Sequence, residues 1–334
     1  VLSMTIRELV DKLSEVEPYE PFWEDLTDLD LHDKQLTSLH MLDEFCGRVV
    51  KLDASQNKLN HLDGVPSSVR QLKASCNMLT ELTSWDHLMH LQYVDISGNE
   101  IKSLSALKNL VHLRSIRADD NQLTSLDGLD CHDGLLSLRA RNNLIEELDC
   151  SLTLFERLTE LDLEGNMIRS IHDLELLPVL SKLVLRKNSL SEFTLKRSMK
   201  TLRQLDLSDN DLTSLDLSNT PNIQSVHADR NRIRELTGFD RARRLDSLSL
   251  REQHGNSSLD MSFLASAYEV RKLFLSGNYL GCFEPTVDFL NLQLLDLANC
   301  GLQALPDKMG QLMPNLRTLN VNFNAIADLS PLRY

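Results

Sequence analysis

Apolar residues recur along most of the chain in a frame that is neither purely helical nor purely alternating. In HLRSIRADDNQLTSL, residues 112–126, Leu113, Ile116, Ala118 and Leu123 hold the apolar places and Asn121 holds a fixed polar one. Arg117, Asp119 and Asp120 fall between them. The same frame, L-x-x-L-x-L-x-x-N-x-L, reads clearly in LQYVDISGNEI (91–101), LTELDLEGNMI (158–168), LSKLVLRKNSL (180–190) and LRQLDLSDNDL (202–212). With weaker copies, the framed polar position falls at 34, 57, 77, 99, 121, 143, 166, 188, 210, 231, 253, 278, 300 and 324. A period of ~22 residues sustained over fourteen such positions is the leucine-rich repeat.

Each frame predicts a short strand, because the L-x-L positions alternate and send their leucines to one side. A single repeat has too little apolar surface to fold alone, so neighbours must stack and bury a continuous leucine core. The return path has about ten residues, enough for a 3-10 turn or an extended segment and too few for a long helix. The predicted fold is an α/β solenoid, a leucine-rich repeat horseshoe of about 14 repeats with a parallel concave sheet and a 3-10 or extended convex side. The framed asparagines turn inward after the strand, where an amide can satisfy backbone groups at the bend. Asn57, Asn77, Asn99, Asn121, Asn143, Asn166, Asn188, Asn210, Asn231, Asn278 and Asn324 therefore form an expected structural ladder, with Lys34, Gln253 and Cys300 replacing the amide elsewhere.

Residues 1–25 lie outside the frame and 26–334 within it, which predicts a helical N-terminal cap followed by the solenoid. Ile6, Leu9, Val10, Leu13 and Val16 share one helical face. Thr5 and Glu8 read as a capping box, Met4 and Leu9 as a hydrophobic staple, and Phe22 and Trp23 as plugs for the open core. A docking helix is the alternative reading of this segment. The repeat near 245–269 is irregular: Gln253 replaces Asn and the next framed position is Asn278, so the extra residues around Gly255 are expected to bulge, as a neutral insertion or as a partner loop. The chain opens with Val1 and closes on IADLSPLRY, midway through a return path, which suggests a fragment of a longer protein or a very short cap.

Composition narrows the functional classes. A net charge of −14 argues against a nucleic-acid partner, which needs a basic face, and favours basic partners or partners with basic motifs. The six cysteines are scattered without a C-x-x-C, which favours a reduced compartment. No run approaches the ~18 apolar residues of a membrane span, and no signal peptide is present. The sequon Asn256-Ser257-Ser258 is a single match of the kind that occurs by chance. No phosphate loop, dinucleotide motif, metalloprotease helix, nucleophile elbow or kinase signature occurs, and no His/Cys cluster has metal-ligand spacing. The expectation is a non-enzymatic protein with no cofactor and no metal.

What remains is the face of the sheet. Outward positions between the leucines give one row per repeat: Ser115, Arg117 and Asp119; Ser137, Arg139 and Arg141; Glu160, Asp162 and Glu164; Lys182, Val184 and Arg186. Arg117, Arg139 and Arg141 are expected to form a tight basic spot, flanked by that acidic stripe and then by Lys182, Arg186 and Lys187. Later rows add His227, Arg230, Arg251, Lys272 and an exposed Phe274. The candidate partner-binding residues are thus Arg117, Asp119, Arg139, Arg141, Glu164, Lys182, Arg186, Arg230 and Phe274. Two readings stand side by side. One is cross-strand salt bridging, Arg139 with Asp119 or Arg141 with Glu164. The other is bidentate recognition of an acidic or phosphorylated peptide by the arginines.

The runs LRSIRADDNQLTSLDGLD, GLLSLRARNNLIEELD and RLTELDLEGNMI resemble the leucine-rich domain of fungal spindle-pole-body scaffolds of the septation-initiation and mitotic-exit networks, relatives of animal centriolin. The resemblance implies a non-enzymatic scaffold on the cytoplasmic side of the spindle pole body. It implies partners such as a GTPase switch with its GTPase-activating complex, an NDR-type kinase with its Mob adaptor, and a pole-body anchor. It assigns no binding residue. The alternative is a leucine-rich regulatory subunit of a protein phosphatase; a hydrolase carrying these repeats as an accessory domain is the reading from another class.

Overall fold

The computed structural model describes residues 2–255 and 258–333; Asn256 and Ser257 of the sequon lie outside them. The chain forms two compact units, residues up to Leu177 and residues from Pro178 onward. Each is a parallel-sheet solenoid with a ~22-residue repeat. In the first, the three-residue strands Asp28–Asp30, Lys51–Asp53, Gln71–Lys73, Tyr93–Asp95, Ser115–Arg117, Ser137–Arg139 and Glu160–Asp162 pair in sequence order and in parallel. In the second, the series is Lys182–Val184, Gln204–Asp206, Ser225–His227, Ser247–Ser249, Lys272–Phe274, Leu294–Asp296 and Thr318–Asn320. The central residue of each strand points inward and aligns with its neighbours, as Leu52, Leu72, Val94, Ile116 and Leu138 do in the first unit.

A backbone device missing from the frame closes each strand of these two series. The residue just before each ladder position has positive φ: Asp33, Gln56, Cys76, Gly98, Asp120, Asn142, Gly165, Lys187, Asp209, Arg230, Glu252, Gly277, Asn299 and Phe323. This left-handed step reverses the chain and delivers the next side chain into the core. Asn121 then donates its amide to the carbonyls of Ile96 (3.0 Å), Asp119 (3.1 Å) and Ala118 (3.3 Å). Its Oδ1 accepts the Ile101 N–H at 3.0 Å. Asn231, fully buried, repeats the pattern on Leu207, Ala228, Asp229 and the Leu212 N–H.

The substitutes do comparable work. Gln253 donates to the carbonyls of Ala228 at 2.8 Å and Arg251 at 3.2 Å and accepts the Ile233 N–H at 3.0 Å. Cys300, whose thiol burial pushes up to about 11, stays protonated and donates to Leu275 O at 3.3 Å. Lys34 has no such side chain; its N–H donates to Asn57 Oδ1 at 3.0 Å.

The return side holds 3-10 turns at Ser105–Leu107, Cys150–Leu152, Leu174–Leu176 and Met261–Ala265 and one-turn α-helices at Leu42–Phe45 and Met309–Leu312. Two pairs of extra strands also lie there: Glu147–Asp149 with Ser170–His172 in the first unit, and Ser214–Asp216 with Glu235–Thr237 in the second. In the irregular repeat His254 and Gly255, where the bulge is expected, are exposed, and the next two residues of that segment lie outside the described ones. Leu259, Phe263 and Leu264 are buried, and Phe263 meets Phe239 with ring centroids 5.2 Å apart. The Met261–Ala265 turn after it thus anchors on the core through Phe263 and Leu264.

At the front, the helix runs Leu2–Val16. Its early start overturns the capping box and the staple. Thr5 lies a turn inside the helix, because Leu2, Ser3 and Met4 continue it backwards at little propensity cost, and Met4 points to solvent. Leu9 and Leu13 are fully buried, with Ile6, Val10 and Val16 half-buried beside them. Of the two expected plugs only Trp23 is buried; it donates Nε1–H to Glu17 O at 2.7 Å and meets Phe45 edge-on. Phe22 is exposed, since adjacent residues of the 3-10 turn Glu20–Asp25 cannot both face inward.

Candidate functional site

Many side chains on the solvent face are fixed by the strand ends before any partner is considered. An Asp at the third strand place accepts the N–H two residues later: Asp53 from Ser55, Asp95 from Ser97, Asp162 from Glu164 and Asp206 from Ser208, all at 3.0–3.1 Å. Much of the acidity of the face is therefore turn chemistry. The same habit accounts for a grouping that the dispersed histidines did not suggest. Asp30, His32 and Asp53 bring their ligand-type atoms within 4.8 Å of one another on an exposed edge. Asp30 Oδ1 accepts from His32 N (3.1 Å) and lies 2.6 Å from His32 Nδ1, and that contact raises the imidazole pKa.

In the first unit the expected basic spot carries its own counter-charges. Asp119, almost fully buried, accepts Arg139 Nε at 2.8 Å and Nη2 at 2.7 Å, while its other oxygen accepts the Arg141 N–H at 2.8 Å. The Arg141 guanidinium turns to Asp162, 2.9 Å from Nε and 2.6 Å from Nη2, with Glu164 at 3.8 Å. Arg117 is different. It is exposed and has no ion-pair partner among the described residues. Tyr93 lies in its field: burial and Asp95 push the phenol pKa up, against the pull of Arg117 and Arg139. Asp120, at the rim, accepts the Asn142 amide at 3.1 Å.

The second unit wires its charges another way. Asp209 takes two arginines, Arg230 at 2.7 Å and Arg186 at 3.3 Å. The bond from Arg230 is the main influence holding its carboxyl below the ordinary range, with Arg186 adding to it against the effect of burial. Arg230 also comes within 3.8 Å of Glu252. Asp229 is buried like Asp119 and accepts the Arg251 N–H at 2.8 Å, but its companion is the Ser249 hydroxyl at 2.5 Å. Arg251 reaches Asp296 at 3.3 Å and lies over the Phe274 ring, 4.4 Å from its centroid. Phe274 is consequently half-buried rather than exposed, and Val184, expected in the outward row, is buried. Lys182, Lys187, His227 and Lys272 remain exposed.

Models of the leucine-rich repeat match residues 87–107 and 198–219, and a model of two such repeats matches 290–334. Solved structures of similar fold include a leucine-rich-repeat protein of Leptospira interrogans (TM-score 0.70, 23% identity, 90% of this chain and 85% of that one). An internalin of Listeria monocytogenes is another (TM-score 0.69, 18% identity, 97% and 91%). At these identities they show the fold alone. The septation initiation network scaffold protein cdc11 of Schizosaccharomyces pombe is 38% identical over 331 residues, 99% of this chain and 32% of that protein. The chain thus spans about a third of the length of that curated relative. Repeat, fold and identity converge: the chain is a leucine-rich-repeat solenoid that is similar, over nearly its whole length, to about a third of a septation initiation network scaffold protein.

Proposed function

We propose that this chain is a non-enzymatic docking segment of a septation-network scaffold, acting at the spindle pole body. The observation that carries the reading is the identity to a scaffold maintained over 331 residues, which favours it over the phosphatase-subunit alternative. Residues 1–25 serve as the cap and 26–334 as the array. The docking surface of each unit is the solvent face of its sheet, where each repeat contributes a short fixed row. Its partners are proteins: the Mob–kinase complex, the GTPase-activating complex or the pole-body anchor. Acidic or phosphorylated segments of these proteins meet the cations that internal carboxylates leave free.

Arg117 in the first unit and Lys182 in the second are the informative probes. Both are exposed and neither has an ion pair among the described residues. Arg139 and Arg141 are poorer probes, since truncating Arg139 strands the buried carboxylate of Asp119 and lowers stability along with any binding. The double variant R117E/K182E is expected to lose pole-body foci of the tagged full-length protein and capture of its partners, with an unchanged melting temperature. Retained foci and capture would remove the sheet face from the proposal. Capture of a phosphatase catalytic subunit by the unmodified protein would restore the alternative.

A further inference from the structure

The proline steps of the chain differ sharply in access. Two hydroxyl residues precede a proline, Thr220–Pro221 and Ser330–Pro331. Thr220 is 1% exposed and its hydroxyl donates to Leu217 O at 3.2 Å. Ser330 is exposed and opens the 3-10 turn Ser330–Arg333; its hydroxyl donates to Asp328 Oδ2 at 2.9 Å. Arg333, also exposed, stands three places on. That order of hydroxyl, proline, spacer and cation suits one enzyme class. Proline has no N–H to leave unsatisfied in an apolar subsite, and a basic side chain three residues later reaches an acidic one.

We propose that Ser330 is the acceptor of a proline-directed protein kinase that prefers a basic residue at the third following position. In the transfer, the Ser330 hydroxyl oxygen attacks the γ-phosphorus of ATP. The Oγ–P bond forms as the bond to the β–γ bridging oxygen breaks, ADP leaves, and the hydroxyl proton passes to the kinase's base. The product rewires the turn. Asp328 now accepts both the N–H and the hydroxyl of Ser330, each at 2.9 Å, and those two bonds hold its carboxyl pKa low. Phosphorylation removes the hydroxyl donor and sets a charge of about −1.5 to −2 against Asp328. Arg333 is the cation in reach of that carboxylate. The turn, which lies against the Met309–Leu312 helix, loosens from it.

The test treats the intact purified protein with a cyclin-dependent kinase and ATP and locates phosphate by mass spectrometry. A synthetic peptide of residues 324–333 runs alongside to verify the kinase. Phosphate is expected at Ser330 and not at Thr220. It should vanish in S330A and P331A and form several-fold more slowly in R333A. Amide exchange over residues 329–333 should quicken in the modified protein. If the peptide is modified while intact protein is not, the fold closes the site and the proposal fails. Equal modification of Thr220 defeats the access argument, and an unaffected rate in R333A defeats the assigned kinase class. If neither peptide nor protein accepts phosphate at Ser330, the motif is not a substrate.

Discussion

Asp119 in the first unit and Asp229 in the second occupy the same place in the frame, yet their surroundings assign them different jobs. Each is buried, each donates its own backbone N–H to a serine hydroxyl oxygen of the preceding repeat at 3.1 Å, and each carboxylate accepts the main-chain N–H of an arginine in the next repeat at 2.8 Å. The second partner differs. Asp119 answers the full positive charge of Arg139, whereas Asp229 answers a neutral hydroxyl, Ser249. The second unit puts its strong pairing elsewhere, on the more exposed Asp209 that Arg186 and Arg230 share. The repeat therefore dictates where a carboxylate sits but not whether it is an ion-pair centre or a hydrogen-bond acceptor. One residue in the neighbouring repeat decides that.

The comparison breaks most readily at these two aspartates. D119N keeps the oxygen that accepts the Arg141 N–H but turns an amide N–H₂ toward the Arg139 guanidinium. Losing a buried charge-assisted contact costs about 2–3 kcal/mol. D229N keeps the oxygen that serves both Arg251 and Ser249, so its cost should stay below about 1 kcal/mol. Both tryptophans, Trp23 and Trp85, are buried in the first unit, so fluorescence in urea reads D119N directly. Amide exchange in Ser225–His227 and Ser247–Ser249 reads D229N. Equal losses would mean that the Arg139 pair adds nothing to the common frame.

Acidification separates the units in a different order. His132 in the first unit is fully buried, with Nε2 3.1 Å from Leu107 O and Nδ1 without a hydrogen-bond partner among the described residues. Burial lowers its pKa below the ordinary 6.5, outweighing the opposing hydrogen bonds and the fields of Asp130 and Asp133. Above pH 6.5 the folded and unfolded forms are both neutral and nothing is lost. As pH falls through 6.5 the unfolded chain binds a proton that the folded chain refuses, so stability declines until the lower folded value is reached. For Asp209 the folded pKa lies below 3.8, so its contribution is present above 3.8 and is lost as pH falls through the folded value. The first unit should thus weaken in mildly acidic buffer while the Asp209 pairing of the second holds. Tryptophan-detected urea midpoints between pH 7.5 and 5 should fall for the wild type and flatten for H132Q. An unchanged slope in H132Q would assign the effect to other groups.

The repeat carries its fold on the surface of the sequence, because stacking makes each leucine and asparagine face the same environment many times over. The left-handed step before the ladder was less visible. Gly98, Gly165, Gly277 and Asn142 advertise it, but Gln56, Lys187, Arg230 and Phe323 adopt it with side chains that gain nothing from it, held there by the stacked neighbours. Gln253 and Cys300 look like breaks in a ladder and are rungs of it, since an amide one methylene longer or a protonated thiol still reaches the carbonyls. The extra return-side strands escaped notice because Glu147–Asp149 and Ser170–His172 each hold a single apolar residue, too little for a period to show. On the face, the rows follow from alternation, while the direction in which each arginine leans depends on carboxylates about a repeat away in sequence and adjacent in space. The sequence offers both a basic spot and the pairings Arg139 with Asp119 or Arg141 with Glu164; the stacking makes the first pairing, turns Arg141 mainly to Asp162, and leaves Arg117 without an ion pair among the described residues.

The finest difference lies in how the two units use Arg141 and Arg251. Arg141 has carboxylates on two sides, Asp162 and Glu164, whereas Arg251 has Asp296 and a ring. A guanidinium over a phenyl at a partly exposed site gains about 0.5–1 kcal/mol. F274L keeps an apolar body in place and removes the quadrupole, so stability should fall by no more than that amount. The more telling readout is the mobility of Arg251. Without the ring it keeps one contact to Asp296 and should show faster side-chain motion by Nε NMR relaxation, while Arg141 is unchanged as the internal reference. If Arg251 stays as ordered in F274L as in the wild type, Asp296 alone fixes it, and the two units then hold their arginines by carboxylates in the same way.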